Sequence, residues 1–147
     1  MADWNGVRVA IAAQAATAEG IREATATKLS VIGMLPSVKV ENVTSIEINN
    51  DRGGRGAGFE ARIARIAGKL LVANAADIGR TQADTELYVE RLFAAARTGL
   101  RLGYAGTVED SWLDSAAIGP QEYGDQTFHG ADLEWVVKVI ESVTRTS

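Results

Sequence analysis

Residues 38–73, VKVENVTSIEINNDRGGRGAGFEARIARIAGKLLVA, decide the fold. Val38 and Val40, then Val43, then Ile46 and Ile48 alternate with Lys39, Glu41, Ser45 and Glu47, the period-two pattern of a strand. The phase slips between Val40 and Val43, so a β-bulge is expected there. A second strand starts at Phe59, with Ala61 and Ile63 on one face and Glu60 and Arg62 on the other. Its phase is expected to slip before Ile66, and Leu70, Leu71 and Val72 read as buried on both sides near Ala73. The ten residues between the two strands, NNDRGGRGAG from Asn49 to Gly58, hold four glycines and two arginines. That segment is too long for a tight turn and reads as a flexible hairpin arm carrying Arg52 and Arg55.

Working outward, residues 7–24 predict a helix, because Val7, Ala10, Ile11, Ala15, Ala18 and Ile21 recur at three- and four-residue spacing. Asp3 is its expected N-cap. Thr25, Thr27, Gly33 and Pro36 then mark a turning segment in which Leu29, Val31, Ile32 and Leu35 are expected to be buried. The clearest helix spans Thr81 to Leu100: Thr81 and Asp84 resemble a capping box, and Tyr88, Val89, Leu92, Phe93, Ala96 and Leu100 form one apolar stripe. Two further strands are expected, one over Val108–Ile118 and one over Leu133–Val143, in which Leu133, Trp135, Val137 and Val139 alternate. Gly119 to Gly130 between them reads as a polar loop. The order helix-strand-strand-helix-strand-strand predicts an α+β fold, a mostly antiparallel four-stranded sheet with two packed helices, as one domain over residues 1–147.

Composition narrows the function. The chain has 147 residues, 46% hydrophobic and 23% charged, enough for one domain with a real core. The mean hydropathy of −0.02 and the even spread of apolar residues argue against wholesale disorder, and no apolar run is long enough to cross a bilayer. The N-terminus lacks the basic cluster and apolar core of a secretory signal, so a cytoplasmic protein is the expectation. With no cysteine and one histidine, His129, neither disulfides nor zinc sites are expected. A net charge of −4 argues against a protein that reads DNA sequence through a basic face.

The charge is segregated. Arg52, Arg55, Arg62, Arg65 and Lys69 cluster in one segment, whereas residues 103–137 contain no Lys or Arg but include Glu109, Asp110, Asp114, Glu122, Asp125, Asp132 and Glu134. These read either as two solvated faces or as a self-complementary pair in which the basic segment of one copy meets the acidic segment of the next, as in heterologous ring contacts. The candidate interface residues are therefore Arg52, Arg55, Arg62, Arg65, Glu109, Asp110, Asp114 and Asp125.

Other motifs are weaker. GGRGAG lacks a following Lys-Ser or Lys-Thr and leads into a strand, so it is neither a phosphate loop nor a dinucleotide fingerprint. Glu109, Asp110, Asp114, Asp132 and Glu134 are candidate magnesium ligands of a small nuclease or hydrolase, or else solvent-facing carboxylates on strands and loops. His129 reads as a loop residue. Trp4, Trp112 and Trp135 read as packing residues, with Trp4 a possible interface anchor.

The element order, together with SVKVENVTSIEI, FEARIARIAGKLLVA, TELYVERLFAAARTGLRL, VEDSWLDSAAIGP and GADLEWVVKVIESV, resembles the tail terminator proteins of long-tailed bacteriophages, also called tail completion or tail-to-head joining proteins. The resemblance covers nearly the whole chain. It implies a non-enzymatic structural protein of the virion tail, at its neck end, assembled in the host cytoplasm without a cofactor. Such subunits form a ring, commonly a hexamer, that caps the tail tube and docks to the head-neck connector proteins, and DNA passes through the lumen. Carried over by position, Arg52 and Arg55 lie in a hairpin tip that reaches a neighbouring subunit, the tube or the lumen. A tail tube or head-closure subunit is the nearest structural alternative.

Overall fold

In a computed structural model, residues 3–26, 34–48, 59–76, 82–97 and 108–142 are described, the side chains of residues 59, 60, 82, 141 and 142 excepted. The elements are α1 (Trp4–Ala15), β1 (Glu23–Thr25), β2 (Ser37–Ile48), β3 (Phe59–Asn74), α2 (Gln82–Arg97), β4 (Val108–Tyr123) and β5 (Gln126–Ser142). The fold is α+β. It differs from the expected one in the sheet, which has five strands in the order β1-β2-β3-β5-β4. The additional strand, β1, runs parallel to β2 and pairs Glu23 with Ser37, so the sheet is mixed. A three-residue strand carries no period of its own to read.

α1 is capped by Asp3, whose carboxylate accepts from the Gly6 N–H at 3.0 Å. It ends at Ala15, earlier than the periodicity predicts. There the Thr17 hydroxyl donates to the Gln14 carbonyl at 2.6 Å, offering that carbonyl a partner other than the continuing helix. The chain then turns at Gly20, at φ +87°, where a Cβ would meet the Tyr88 ring at 2.7 Å and Arg91 Nη1 at 2.9 Å. In α2 the expected stripe is present: Val89, Leu92 and Ala96 are buried and Tyr88 and Phe93 pack against the core. The proposed cap at Thr81 and the end at Leu100 lie outside the described residues, as does the arm with Arg52 and Arg55.

Both helices pack on one face of the sheet. Cross-strand neighbours share a face, so the registers Val38–Leu70–Ala131 and Ile66–Trp135–Leu113 place these residues together on that face, against Val7 and Ile11 of α1 and Leu92 of α2. The bulge expected between Val40 and Val43 is there, because Glu41 has no partner on β3. Its unpaired carbonyl accepts from Arg8 Nη1 of α1 at 2.7 Å, which ties the helix to the sheet. A second bulge follows at Thr44.

The phase slip expected before Ile66 is absent. β3 pairs with β5 without interruption from Phe59 to Leu71, so Ile63 and Ile66 lie on opposite faces of a regular strand. The polar loop expected over Gly119–Gly130 is also absent. These residues complete two long strands that meet at Gly124-Asp125, with Gly124 at φ +64° and Tyr123 paired with Gln126. A Gly-Asp pair between strands is itself a tight-hairpin signal, masked here by the surrounding polar residues. Ile46 and Ile48, on the same face as Val38 and Val40, are 47% and 61% exposed. Trp4 is partly buried against the core, as a packing residue would be, and is not an exposed anchor.

Two glycines set how closely the strands approach. A Cβ at Gly130 would sit inside the van der Waals radius of the Leu70 carbonyl oxygen, and one at Gly68 would lie 2.6 Å from the Lys39 carbonyl oxygen and 2.5 Å from the Trp135 ring. At Gly119, by contrast, nothing lies within 4 Å. Gly130→Ala should therefore cost about 3 kcal/mol, while Gly119→Ala should change stability by less than about 0.5 kcal/mol. Urea unfolding of both variants checks this; equal stabilities would show that the strands have room to separate.

Candidate interaction surface

The face of the sheet opposite the helices carries the charge. Arg65 of β3 stands at its centre, donating to Glu134 Oε1 of β5 at 2.5 Å and to Asp114 Oδ2 of β4 at 3.4 Å. Asp114 occupies a bulge, the extra residue between the pairs Leu113–Trp135 and Ser115–Glu134, which turns its carboxylate toward Arg65. Its other oxygen accepts from the Trp112 indole N–H at 3.3 Å. The hydrogen bond and charge of Glu134 push the Arg65 guanidinium above its ordinary pKa against an opposing effect of desolvation, and the hydrogen bond and charge of Asp114 add less to the rise. The group stays protonated at any working pH, so its upward shift gives no titration step between pH 5 and 9.

For Arg65, then, the acidic partner expected on a neighbouring copy is found within the same chain. The sequence-distant basic and acidic segments meet because β3, β5 and β4 are adjacent strands. Lys138 and Glu109 form a second pair at 3.7 Å. Of the remaining candidates, Arg62 is half-buried on the helix-bearing face, opposite Ile48 and Val139. Asp110 accepts from the Ser111 N–H at 2.8 Å, and Asp125 is exposed in the β4–β5 turn. His129, expected in a loop, sits in β5 paired with Ala73 and Pro120, in a cleft shared with Thr85 of α2. Among the described residues, no three His, Asp or Glu side chains converge as a metal site would need. No described helix is long and apolar enough to cross a membrane.

The alternation of β2 hides one further group, Lys39. It reads as a solvent-facing residue, yet it is only 1% exposed. Its ammonium donates to Glu23 Oε1 at 2.8 Å and to Thr25 Oγ1 at 3.1 Å, and it lies 5.8 Å from the Tyr123 ring centroid. Glu23 Oε2 in turn accepts from the Met34 N–H at 2.9 Å. Beside it, Lys69 donates to the Glu122 carbonyl at 2.9 Å. β3 and β5 separate β2 from β4 in the sheet, so these contacts require the β4–β5 hairpin to curl back over the charged face. Leu71, Phe128 and Gln121, all buried, belong to the same covered patch.

Compared with known protein families and with curated proteins, the chain matches none.

A buried ammonium left without its carboxylate is costly, whereas replacing it by a hydrocarbon is not. Glu23→Gln should destabilise the fold by about 3 kcal/mol, and Lys39→Met by clearly less. Arg65→Ala, at an exposed pair, should cost no more than about 1 kcal/mol. Chemical denaturation of the three variants measures the order; equal losses for Glu23→Gln and Arg65→Ala would contradict it.

Proposed function

We propose that this chain is a structural subunit of the tail of a long-tailed bacteriophage: a tail terminator that closes into a ring, caps the tail tube and joins it to the head-neck connector, with DNA passing through the lumen. The sequence resemblance supplies the role. The observation that supports it best is the two-sided character of the sheet, with both helices on one face and charge on the other. A ring built from such subunits has a natural inner and outer wall.

The charge on that face suits passage better than capture. A surface that binds DNA gains its affinity from cations that neutralise phosphates and release counterions. Here the central cation, Arg65, is held by two carboxylates, and Asp114 and Glu134 leave this cluster with net negative charge. A wall of this kind lets a polyanion slide. Tail tube and head-closure subunits share the same physical requirements, and they differ from a terminator in how assembly ends.

The test is the mass of the purified protein in solution, by light scattering behind a sizing column over a range of concentration and salt. A discrete closed oligomer, such as a hexamer, is expected. Open-ended filaments would favour a tube subunit, and a monomer at every concentration would overturn the ring.

A further inference from the structure

We infer that the ring interface is a continuation of the β-sheet, in which residues Ser45–Ile48 at the free edge of β2 pair antiparallel with Ala116–Gly119 at the free edge of β4 of a second copy. The inference rests on the proposed ring and adds which surfaces close it.

Both edges are open among the described residues. β1 covers β2 only at Ser37–Lys39, and β4 pairs on one side only, with β5. An unpaired edge presents a row of backbone donors and acceptors, and proteins guard such edges with bulges, charges and prolines. The guards here are placed selectively. In β2, bulges at Glu41 and Thr44 break the edge, but Ser45 to Ile48 is regular. In β4, bulges at Glu109 and Asp114 break the first half and Pro120 interrupts the second, leaving the uncharged Ser115-Ala116-Ala117-Ile118-Gly119 between them.

The two stretches without bulge or proline match in length and in face, and the one charge between them, Glu47, is exposed and lies opposite an uncharged residue, Ala117, in this pairing. Ile46 aligns through Ala64 with Val137, and Ile118 with Ala131, so both isoleucines lie on the helix-bearing face. They are 47% and 39% exposed, and Ile48 is 61% exposed. Setting Ile46 opposite Ile118 pairs Ile48 with Ala116, Glu47 with Ala117 and Ser45 with Gly119, after which Thr44 meets Pro120 and the ladder ends. The isoleucines that one copy leaves in water are then covered by the next.

Direction and stagger also agree. The strands β2, β3, β5 and β4 alternate in direction, so a β4 added beside β2 with its helices on the same side is antiparallel to it. Within one chain Ile46 is level with Val137 on β5, whereas Ile118 is level with Ala131, six residues away. The neighbour is therefore shifted by about 20 Å along the strands, at roughly 3.4 Å per residue. Four strands at about 4.8 Å span roughly 19 Å, so this shift corresponds to a strand tilt of about 45°, near the range in which sheets close into barrels.

The experiment uses Ile46→Asp, Ile118→Lys and the double variant, with light scattering for assembly and circular dichroism for folding. Both positions are exposed, so all three proteins should melt as the wild type does. Each single variant should lose assembly at concentrations where the wild type is oligomeric, and the double variant, which opposes Asp to Lys, should assemble at a lower concentration than either single. A wild-type ring that both single variants still form would overturn the edge pairing and leave the ring reading intact. Filaments abolished by the single variants and restored in the double would support the pairing while overturning the closed ring. Loss in both single variants without recovery in the double overturns the Ile46–Ile118 register, and a wild type that is monomeric throughout overturns both readings.

Discussion

The close approach of β3 and β5 at Gly130 is the constraint on which the rest of the structure depends. With no side chain at Gly130, the backbone of β5 can lie against the Leu70 carbonyl, and Gly68 likewise admits the Trp135 ring over β3. These two contacts fix the register of the central strand pair. A slip of β3 by one residue would turn Ile66 and Leu70 out of the core and Arg65 into it, and a slip of β5 would do the same to Trp135, Val137 and Glu134. Once that register is set, Arg65 has no choice of partner: Glu134 lies diagonally across on β5, and the bulge at Asp114 brings in β4.

The elements with a strong period were legible in the sequence, and those defined by contacts between distant segments were not. The strands over Val38–Ile48 and Leu133–Val139, the bulge after Val40, the stripe of α2 and the cap at Asp3 follow from local patterning and are present. β1 is too short to have a pattern, and it is defined by its pairing with the distant residues Ser37–Lys39 of β2. The Gly119–Gly130 segment looked like a loop because its residues are polar, although a strand at the edge of a sheet can be polar on both sides. Ile46 and Ile48 show the converse. Their alternation identifies the strand correctly, but periodicity tells which residues share a face and not whether anything covers that face.

The same limit applied to the charged residues. The basic and acidic segments were visible as a pattern along the chain, yet only the strand order β3-β5-β4 shows that Arg65 and Asp114 meet within one copy. What remains for a neighbour is the pair of bare edges, where bulges and Pro120 restrict pairing to short matched stretches. That arrangement fits a subunit that must join to copies of itself in one register without aggregating along the whole of β2 or β4.

The most direct test of this account is hydrogen exchange of the backbone amides at residues 45–48 and 116–119, measured in the assembled protein and again after dilution to the monomer. Sheet continuation predicts that the edge-facing amides, every second residue of each stretch, are protected in the assembly and exchange faster together on dilution, while those that already bond β3 or β5 and those at positions 41, 44, 109 and 114 change little. Unchanged exchange in both stretches, in a sample shown to have dissociated, would contradict it.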